Sequence, residues 1–209
     1  MDSFTTNNSV RICGRAAGPA EYSHSSRSRE FYVFPLEVRR LSGSSDTLNV
    51  LVGRDMLGAL EAAGDGRLCV DGELRSFNSR RAEWPRLVIT VFARDLAPCA
   101  GEDENTVRLR GALCRPPTLR TTPMGRDICD VMLAVNRRYG RSDYLPCILW
   151  GSLAREAALW RVGQRVELSG RIQSRSYLKQ TELGEEERTA FEVSVSEAEP
   201  CPAAAAVIS

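Results

Sequence analysis

The stretch Val107-Arg-Leu-Arg-Gly111 has a counterpart near the start of the chain, Val10-Arg-Ile-Cys-Gly14, at an offset of 97 residues. Three further blocks recur at offsets of 97, 97 and 98 residues: Leu36–Arg40 with Leu133–Arg137, Asp46–Leu48 with Asp143–Leu145, and Asp71–Leu74 with Ser169–Ile172. Four blocks that recur at an offset of 97 or 98 residues indicate an internal duplication. The repeated module is about 95 residues long.

Within each copy the pattern is mostly that of β-strands. Apolar and polar residues alternate in 107–111 and again in 166–173, which is typical of half-buried strands. One helix is predicted in each copy. In the second copy it spans Ser152–Trp160, with Ser152 as the N-cap and Gly163 ending it. In the first copy it spans Asp55–Ala63 and is followed by Gly64. Three strands, a short helix and two strands is the element order of an OB-fold. The predicted class is all-β, with two tandem OB-fold barrels.

The polar, acidic segment 97–105 separates the copies and places a boundary near residue 102. The sequence therefore predicts an N-terminal OB-fold at 1–101, a C-terminal OB-fold at 102–200 and a short disordered tail at 201–209.

The composition is that of an ordinary globular protein. The 209 residues are 43% hydrophobic and 26% charged, with a formal net charge of +1. No apolar run is long enough for a transmembrane helix, and the first ten residues lack the basic and apolar regions of a secretory signal. A cytoplasmic protein is expected.

Seven cysteines lie at 13, 69, 99, 114, 129, 147 and 201, without CxxC spacing. This pattern argues against a zinc ribbon or a thioredoxin-type site. We expect small, buried, reduced cysteines. His24 is the single histidine and is predicted to be a solvated loop residue. Neither a metal nor a cofactor is expected.

Positive charge is concentrated in the second copy. Residues 105–181 contain 14 Lys and Arg against 5 Asp and Glu, whereas residues 1–100 contain 13 against 12. Lys179 is the single lysine, and the remaining basic residues are arginines. Arginine both neutralises phosphate and stacks on bases, so the bias suits a nucleic-acid partner. A GC-rich genome would produce the same bias, and both explanations stay open.

Four aromatic residues of the second copy follow basic residues or lie in a predicted strand: Tyr139, Tyr144, Trp150 and Tyr177. Flat rings among arginines on an open barrel face are what single-strand binding requires, because each ring can stack on any base. The alternative is that some of these rings belong to the core.

From Val107 to about Val195 the chain resembles the bacterial single-stranded DNA-binding protein (SSB) family. The matching stretches are 107–128, 133–139, 142–157, 162–177 and 191–195. The resemblance implies a non-enzymatic protein that binds single-stranded DNA largely independently of sequence, and that protects it during replication, recombination or repair in the nucleoid.

The same resemblance assigns the site residues. It implies that four aromatic residues stack on bases: Tyr139, Tyr144, Trp150 and Tyr177. Phosphate contacts fall to basic residues of loops and strands: Arg110, Arg120, Arg126, Arg137, Arg138, Arg171, Arg175 and Lys179.

The first copy resembles the same fold without this chemistry, because the repeat places Ser42, Thr47 and Val52 or Gly53 where the second copy has aromatic residues. We expect a degenerate, structural barrel, with minor DNA contacts from Phe77, Arg80, Arg81 and Trp84. Tandem barrels of this family imply a homodimer with four OB-folds. Residues 202–209 contain no acids, so tail-mediated recruitment of other proteins is not expected.

A second function class stays open, namely an OB-fold adaptor that binds protein and contacts nucleic acid weakly. An enzyme is not expected, because the sequence shows no nucleophile–base pair, metal cluster or phosphate-binding loop.

Overall fold

The computed structural model describes residues 6–79, 87–137, 140–181 and 184–201. Each copy of the repeat forms six strands and one short α-helix. The strands of the first copy are β1 Asn8–Ala16, β2 Glu21–Ser26, β3 Arg29–Arg39, β4 Ser45–Gly53, β5 Arg67–Asn78 and β6 Leu87–Cys99. Those of the second copy are β7 Glu104–Leu113, β8 Thr118–Thr121, β9 Asp127–Asn136, β10 Ser142–Trp150, β11 Arg165–Thr181 and β12 Gly184–Pro200.

The strand pairing of each copy is that of a small barrel. The order is β2-β3-β4-β6-β5-β1 in the first copy, with β3 also paired to β1. The second copy has the equivalent order β8-β9-β10-β12-β11-β7, with β9 also paired to β7. The extra pairing closes five strands into a barrel and leaves β2 and β8 at the edge. The predicted OB-fold class is confirmed, and each copy adds one edge strand to the five strands that the sequence suggested.

The glycines of the repeat explain why two of its blocks recur. A Cβ at Gly111 would collide with the carbonyl oxygen of Ala134, and one at Gly14 with that of Glu37. Gly170 and Gly72 stand in the same relation to the backbone of β12 and β6. At these points one strand crosses so close to another that a side chain has no room.

The helices differ in detail from those predicted. Helix α2 is shorter than expected, Ser152–Ala157, and its N-cap is Gly151 at φ +59° rather than Ser152, with no side-chain cap. In the first copy a 3₁₀ turn at Arg54–Met56 precedes α1 at Leu57–Ala63, and Gly64 ends the helix as predicted. In the part of the chain that the structure describes, no helix has the length and apolarity needed to cross a membrane.

The described residues form two compact units. The C-terminal unit contains 6–8, 108–171 and 193–201, and the N-terminal unit contains 9–107 and 172–192. The far end of the β11–β12 hairpin thus groups with the first copy, unlike the predicted division near residue 102. Hydrogen bonds explain this grouping. The Asn105 side chain donates to the carbonyl oxygen of Ile172 and accepts from its N–H. The N–H and hydroxyl of Ser174 both donate to the Asp46 carboxylate.

Two expectations about single residues are wrong. Cys13 and Cys69 form a disulfide between directly opposed positions of β1 and β5, because the register brings together residues that are 56 positions apart in sequence. Cys129 and Cys147 are buried free thiols, as expected. His24 is exposed, as expected, but it lies in strand β2 rather than in a loop. Its ring stacks on that of Phe31.

Candidate nucleic-acid interface

Two of the predicted stacking residues lie on one face of β10. Asp143, Leu145, Cys147 and Leu149 alternate into the barrel core, so Tyr144 and Trp150 point the other way. Tyr144 is 49% exposed and Trp150 is 37% exposed. They are six residues apart, which is about 20 Å along a strand. Large rings this exposed are not core residues, so the core alternative is excluded for these two.

The ring of Trp150 is fixed in orientation by its neighbour on β12. Its Nε1–H donates to the Ser194 hydroxyl at 3.2 Å, and Ile128 lies opposite on β9. Beside the ring is an open pocket of about 470 Å³, lined by Arg126 and Arg155 among others. A flat ring beside two guanidinium groups offers one surface for a base and positive charge for a phosphate.

Two arginines of this face are paired with aspartates. Arg120 donates to Asp130 through Nε at 2.6 Å and through a second nitrogen at 3.2 Å. Arg155, which the sequence reasoning did not single out, donates to Asp127 at 2.7 Å. That hydrogen bond lowers the pKa of Asp127, so this carboxyl stays ionised beside the pocket.

Arg137 has a structural partner that the sequence reasoning did not assign. Its guanidinium binds both oxygens of Asp143, whose side chain is fully buried. Arg40 and Asp46 form the same pair in the N-terminal unit, which explains why both blocks recur in the repeat. Burial acts to raise the pKa of Asp46, but hydrogen bonds from Arg40 and Ser174 outweigh it, and the net pKa lies below the ordinary aspartate value.

Seven other arginines of the C-terminal unit are exposed and form no ion pair with any described residue: Arg108, Arg110, Arg115, Arg126, Arg141, Arg161 and Arg165. Two of them, Arg110 and Arg126, are predicted phosphate ligands. Because no described carboxylate pairs with them, these seven charges are available to an anionic partner.

Comparison with known proteins identifies the family. Residues 104–201 match the model of the single-strand binding protein family. Single-stranded DNA-binding protein B of Bacillus subtilis (strain 168) is 42% identical over 80 residues, which are 35% of this chain and 71% of that protein. The chain belongs to the single-strand binding protein family.

A second relative is similar over the same length of chain, and a solved structure is similar over most of it. The single-stranded DNA-binding protein of Clostridium tetani is 38% identical over 80 residues. These residues are 35% of this chain and 55% of the Clostridium protein. The crystal structure of the wild-type single-stranded DNA binding protein from Thermus aquaticus matches with a TM-score of 0.76 at 22% identity, covering 94% of each chain. That likeness supports the tandem OB-fold architecture.

The remaining family positions are distributed as follows. Arg171 is half-exposed at the end of the β11 segment that belongs to the C-terminal unit. Tyr177 and Arg175 lie on the part of β11 that belongs to the N-terminal unit, where Arg175 is 3.9 Å from Glu192. Lys179 is in the same strand, but its side chain is outside the described part. Five predicted residues also lie outside the described residues: Arg80, Arg81, Trp84, Arg138 and Tyr139.

The N-terminal unit is not stripped of aromatic rings, contrary to the expectation. The pair Trp150–Ile128 of the second copy corresponds to Gly53–Phe31 in the first. The aromatic residue of the pair therefore lies on β10 in the second copy but on β3, the strand equivalent to β9, in the first. On the other side, Phe92 occupies the position equivalent to Ser194. The Phe31 and Phe92 ring centroids are 6.0 Å apart. Only the strand pairing reveals this exchange, because the aligned sequence shows glycine where tryptophan is expected.

Each arginine beside these rings has a carboxylate partner. Arg75 and Arg94 lie over the Phe92 ring and both pair with Glu73. Arg29 lies over Phe31 and pairs with Asp55 at 3.3 Å. Phe77 is exposed at the end of β5. On this face the arginines beside the rings already have acidic partners, unlike the seven exposed arginines of the C-terminal unit.

Proposed function

We propose that this chain binds single-stranded DNA largely independently of sequence and protects it during replication, recombination or repair. The proposal rests on one face of the C-terminal unit, where the rings of Trp150 and Tyr144 are exposed. The same unit has seven exposed arginines without an ion-pair partner among the described residues. Rings stack on any base, and the cations follow the backbone. The names of the relatives agree with this substrate. Bacterial relatives and a DNA substrate support a cytoplasmic, nucleoid-associated location.

Within this proposal the N-terminal unit has the smaller share of DNA binding. Its rings at Phe31 and Phe92 are covered by arginines that already have acidic partners. A phosphate would have to displace Glu73 or Asp55, which lowers the net gain. The stacking roles of Tyr139 and Tyr177 and the phosphate roles of Arg137, Arg138, Arg171, Arg175 and Lys179 are part of the proposal.

The direct test is binding of oligo-dT at two salt concentrations. Each neutralised phosphate of a single strand contributes about −0.7 to the slope of log affinity against log salt. If five of the unpaired arginines contact phosphate, affinity should fall about 100-fold between 50 and 200 mM salt. Tryptophan fluorescence should be quenched, because Trp150 would lie under a base. Titration of the full chain followed by fluorescence measures both effects.

The control is a duplex of the same length, to which we expect at least tenfold weaker binding at every salt concentration. Equal affinity for duplex and single strand would contradict the proposal. Binding too weak to measure in low salt would instead favour the protein-binding adaptor.

We further propose that the chain forms a homodimer that supplies four OB-folds. The edge strands Glu21–Ser26 and Thr118–Thr121 support this, because every residue in them is exposed and each pairs on one side only among the described strands. Unpaired edges favour association, and closed two-fold pairing is the common solution. Light scattering should give twice the chain mass at micromolar concentration. A stable monomer there would be against the dimer.

A further inference from the structure

Three cysteines that are remote in sequence meet on one face of the N-terminal unit. Cys13 on β1 is directly opposite Cys69 on β5, and β5 pairs in turn with β6. Cys69 faces Ala97 on β6, so Cys99, two residues further on, projects from the same face. The three Sγ atoms all lie within 4.8 Å of one another. The cluster results from the strand register, and the spacing of the cysteines in the sequence, which includes no CxxC motif, does not predict it.

The cluster lies on the outer face of the sheet rather than in the barrel core. Cys13 alternates with Val10 and Ile12, which are core residues, and shares its face with Arg11. It is nevertheless buried, and a carboxylate oxygen, Oε2 of Glu104, lies 4.0 Å from Cys13 Sγ. Glu104 is itself held by Arg11 at 3.1 Å. Three sulfur atoms therefore lie close together, and a carboxylate oxygen lies beside one of them.

We propose that, when its thiols are reduced, this cluster binds one soft divalent cation, with Zn²⁺ as the favoured ion. Tetrahedral zinc has bonds of about 2.3 Å to sulfur, which puts ligand sulfurs about 3.8 Å apart. The thiols can reach that spacing by small side-chain movements. Cys13, Cys69 and Cys99 are the three thiolate ligands, and Glu104 takes the fourth position. Binding releases three protons, one from each thiol.

Two arginines lie on the strands that carry the cluster. Zinc with three thiolates and one carboxylate has a formal charge of −2. Arg11 contacts the carboxylate, and Arg67 is paired in register with Cys99. Arg11 also pairs with Asp71, and Arg67 pairs with Asp103, so these two guanidinium groups offset only part of that negative charge. The soft thiolate set favours zinc over magnesium or calcium, which prefer oxygen ligands.

The disulfide between Cys13 and Cys69 competes with the metal, because it consumes two of the three ligands. A dithiol reductant converts it to two protein thiols and is itself oxidised to a cyclic disulfide, so electrons and protons balance. The site is thus available in the reduced chain and closed in the oxidised chain. This difference makes the proposal testable on one protein.

The experiment is an anaerobic Co²⁺ titration of the reduced full chain. We expect the intense near-ultraviolet charge-transfer and visible bands of a tetrahedral cobalt–thiolate site, at one ion per chain, and their loss when Zn²⁺ is added. The oxidised chain should show no such bands. Cys13→Ser, Cys69→Ser and Cys99→Ser should each weaken binding at least tenfold, whereas Cys201→Ser, outside the cluster, should not.

Circular dichroism checks that each variant is folded. If a serine variant is unfolded, alkylation of the reduced wild-type chain with and without Zn²⁺ replaces it. Zinc should then protect Cys13, Cys69 and Cys99 out of the seven cysteines. Absence of cobalt bands in the folded, reduced chain overturns the proposal. Undiminished binding by folded Cys99→Ser, or protection of other cysteines, overturns it as well.

Discussion

Trp150→Ala is expected to weaken binding of single-stranded DNA by about 5- to 150-fold, the equivalent of about 1–3 kcal/mol for one lost stacking contact. The ring is exposed, is held by Ser194 and borders the pocket that contains Arg126. It is therefore already oriented for a base, and little ordering entropy is lost when one stacks. Tyr144→Ala should have an effect in the same range. Fluorescence anisotropy of a labelled oligo-dT measures both.

The matched control is Trp150→Phe, which keeps a flat ring but loses the Nε1–H donor to Ser194. It should retain most of the affinity if stacking is the main contribution. Phe77→Ala, on the N-terminal unit, should cost less than Trp150→Ala. If the Phe77 variant is the weaker binder of the two, the roles assigned to the two units are reversed.

The repeat in the sequence predicted the fold because its blocks are the positions that an OB-fold cannot change. Gly111 and Gly14 stand where two strands touch, and the Arg137–Asp143 and Arg40–Asp46 pairs have a fully buried carboxylate. Substitutions there are costly, so both copies retain them. The edge strands β2 and β8 have no buried residue, which is why alternation did not reveal them.

The candidate site was predictable from sequence only where its residues lie on a single strand. Tyr144 and Trp150 lie on β10, and their exposure follows from alternation along that strand. The Phe31–Phe92 pair and the three-cysteine cluster depend on which residues face each other across strands. A register is set by the whole sheet and not by local spacing. Net charge was also an incomplete guide, because it does not tell which arginines have acidic partners.

The largest effect on stability is expected from Asp46→Asn. The Asp46 side chain is fully buried, binds Arg40 at 2.6 Å and accepts hydrogen bonds from the N–H and hydroxyl of Ser174 at 2.7 and 2.8 Å. Asparagine keeps the shape but leaves the Arg40 guanidinium without its counter-charge. Removing one partner of a buried ion pair costs about 3–5 kcal/mol, and urea unfolding at pH 7 should show a loss of that order.

The pH dependence of that loss provides the decisive control. The pKa of Asp46 is lower in the folded chain than its ordinary value of about 3.9, so its contribution is complete above that value and disappears as pH falls through the lower, folded pKa. The stability difference between wild type and Asp46→Asn should therefore be constant from pH 7 to 5 and should narrow as the pH falls below 4. Asp130→Asn, which breaks the exposed pair with Arg120, should cost under about 1 kcal/mol. If both variants lose the same stability at pH 7, burial is not what gives the Arg40–Asp46 pair its strength.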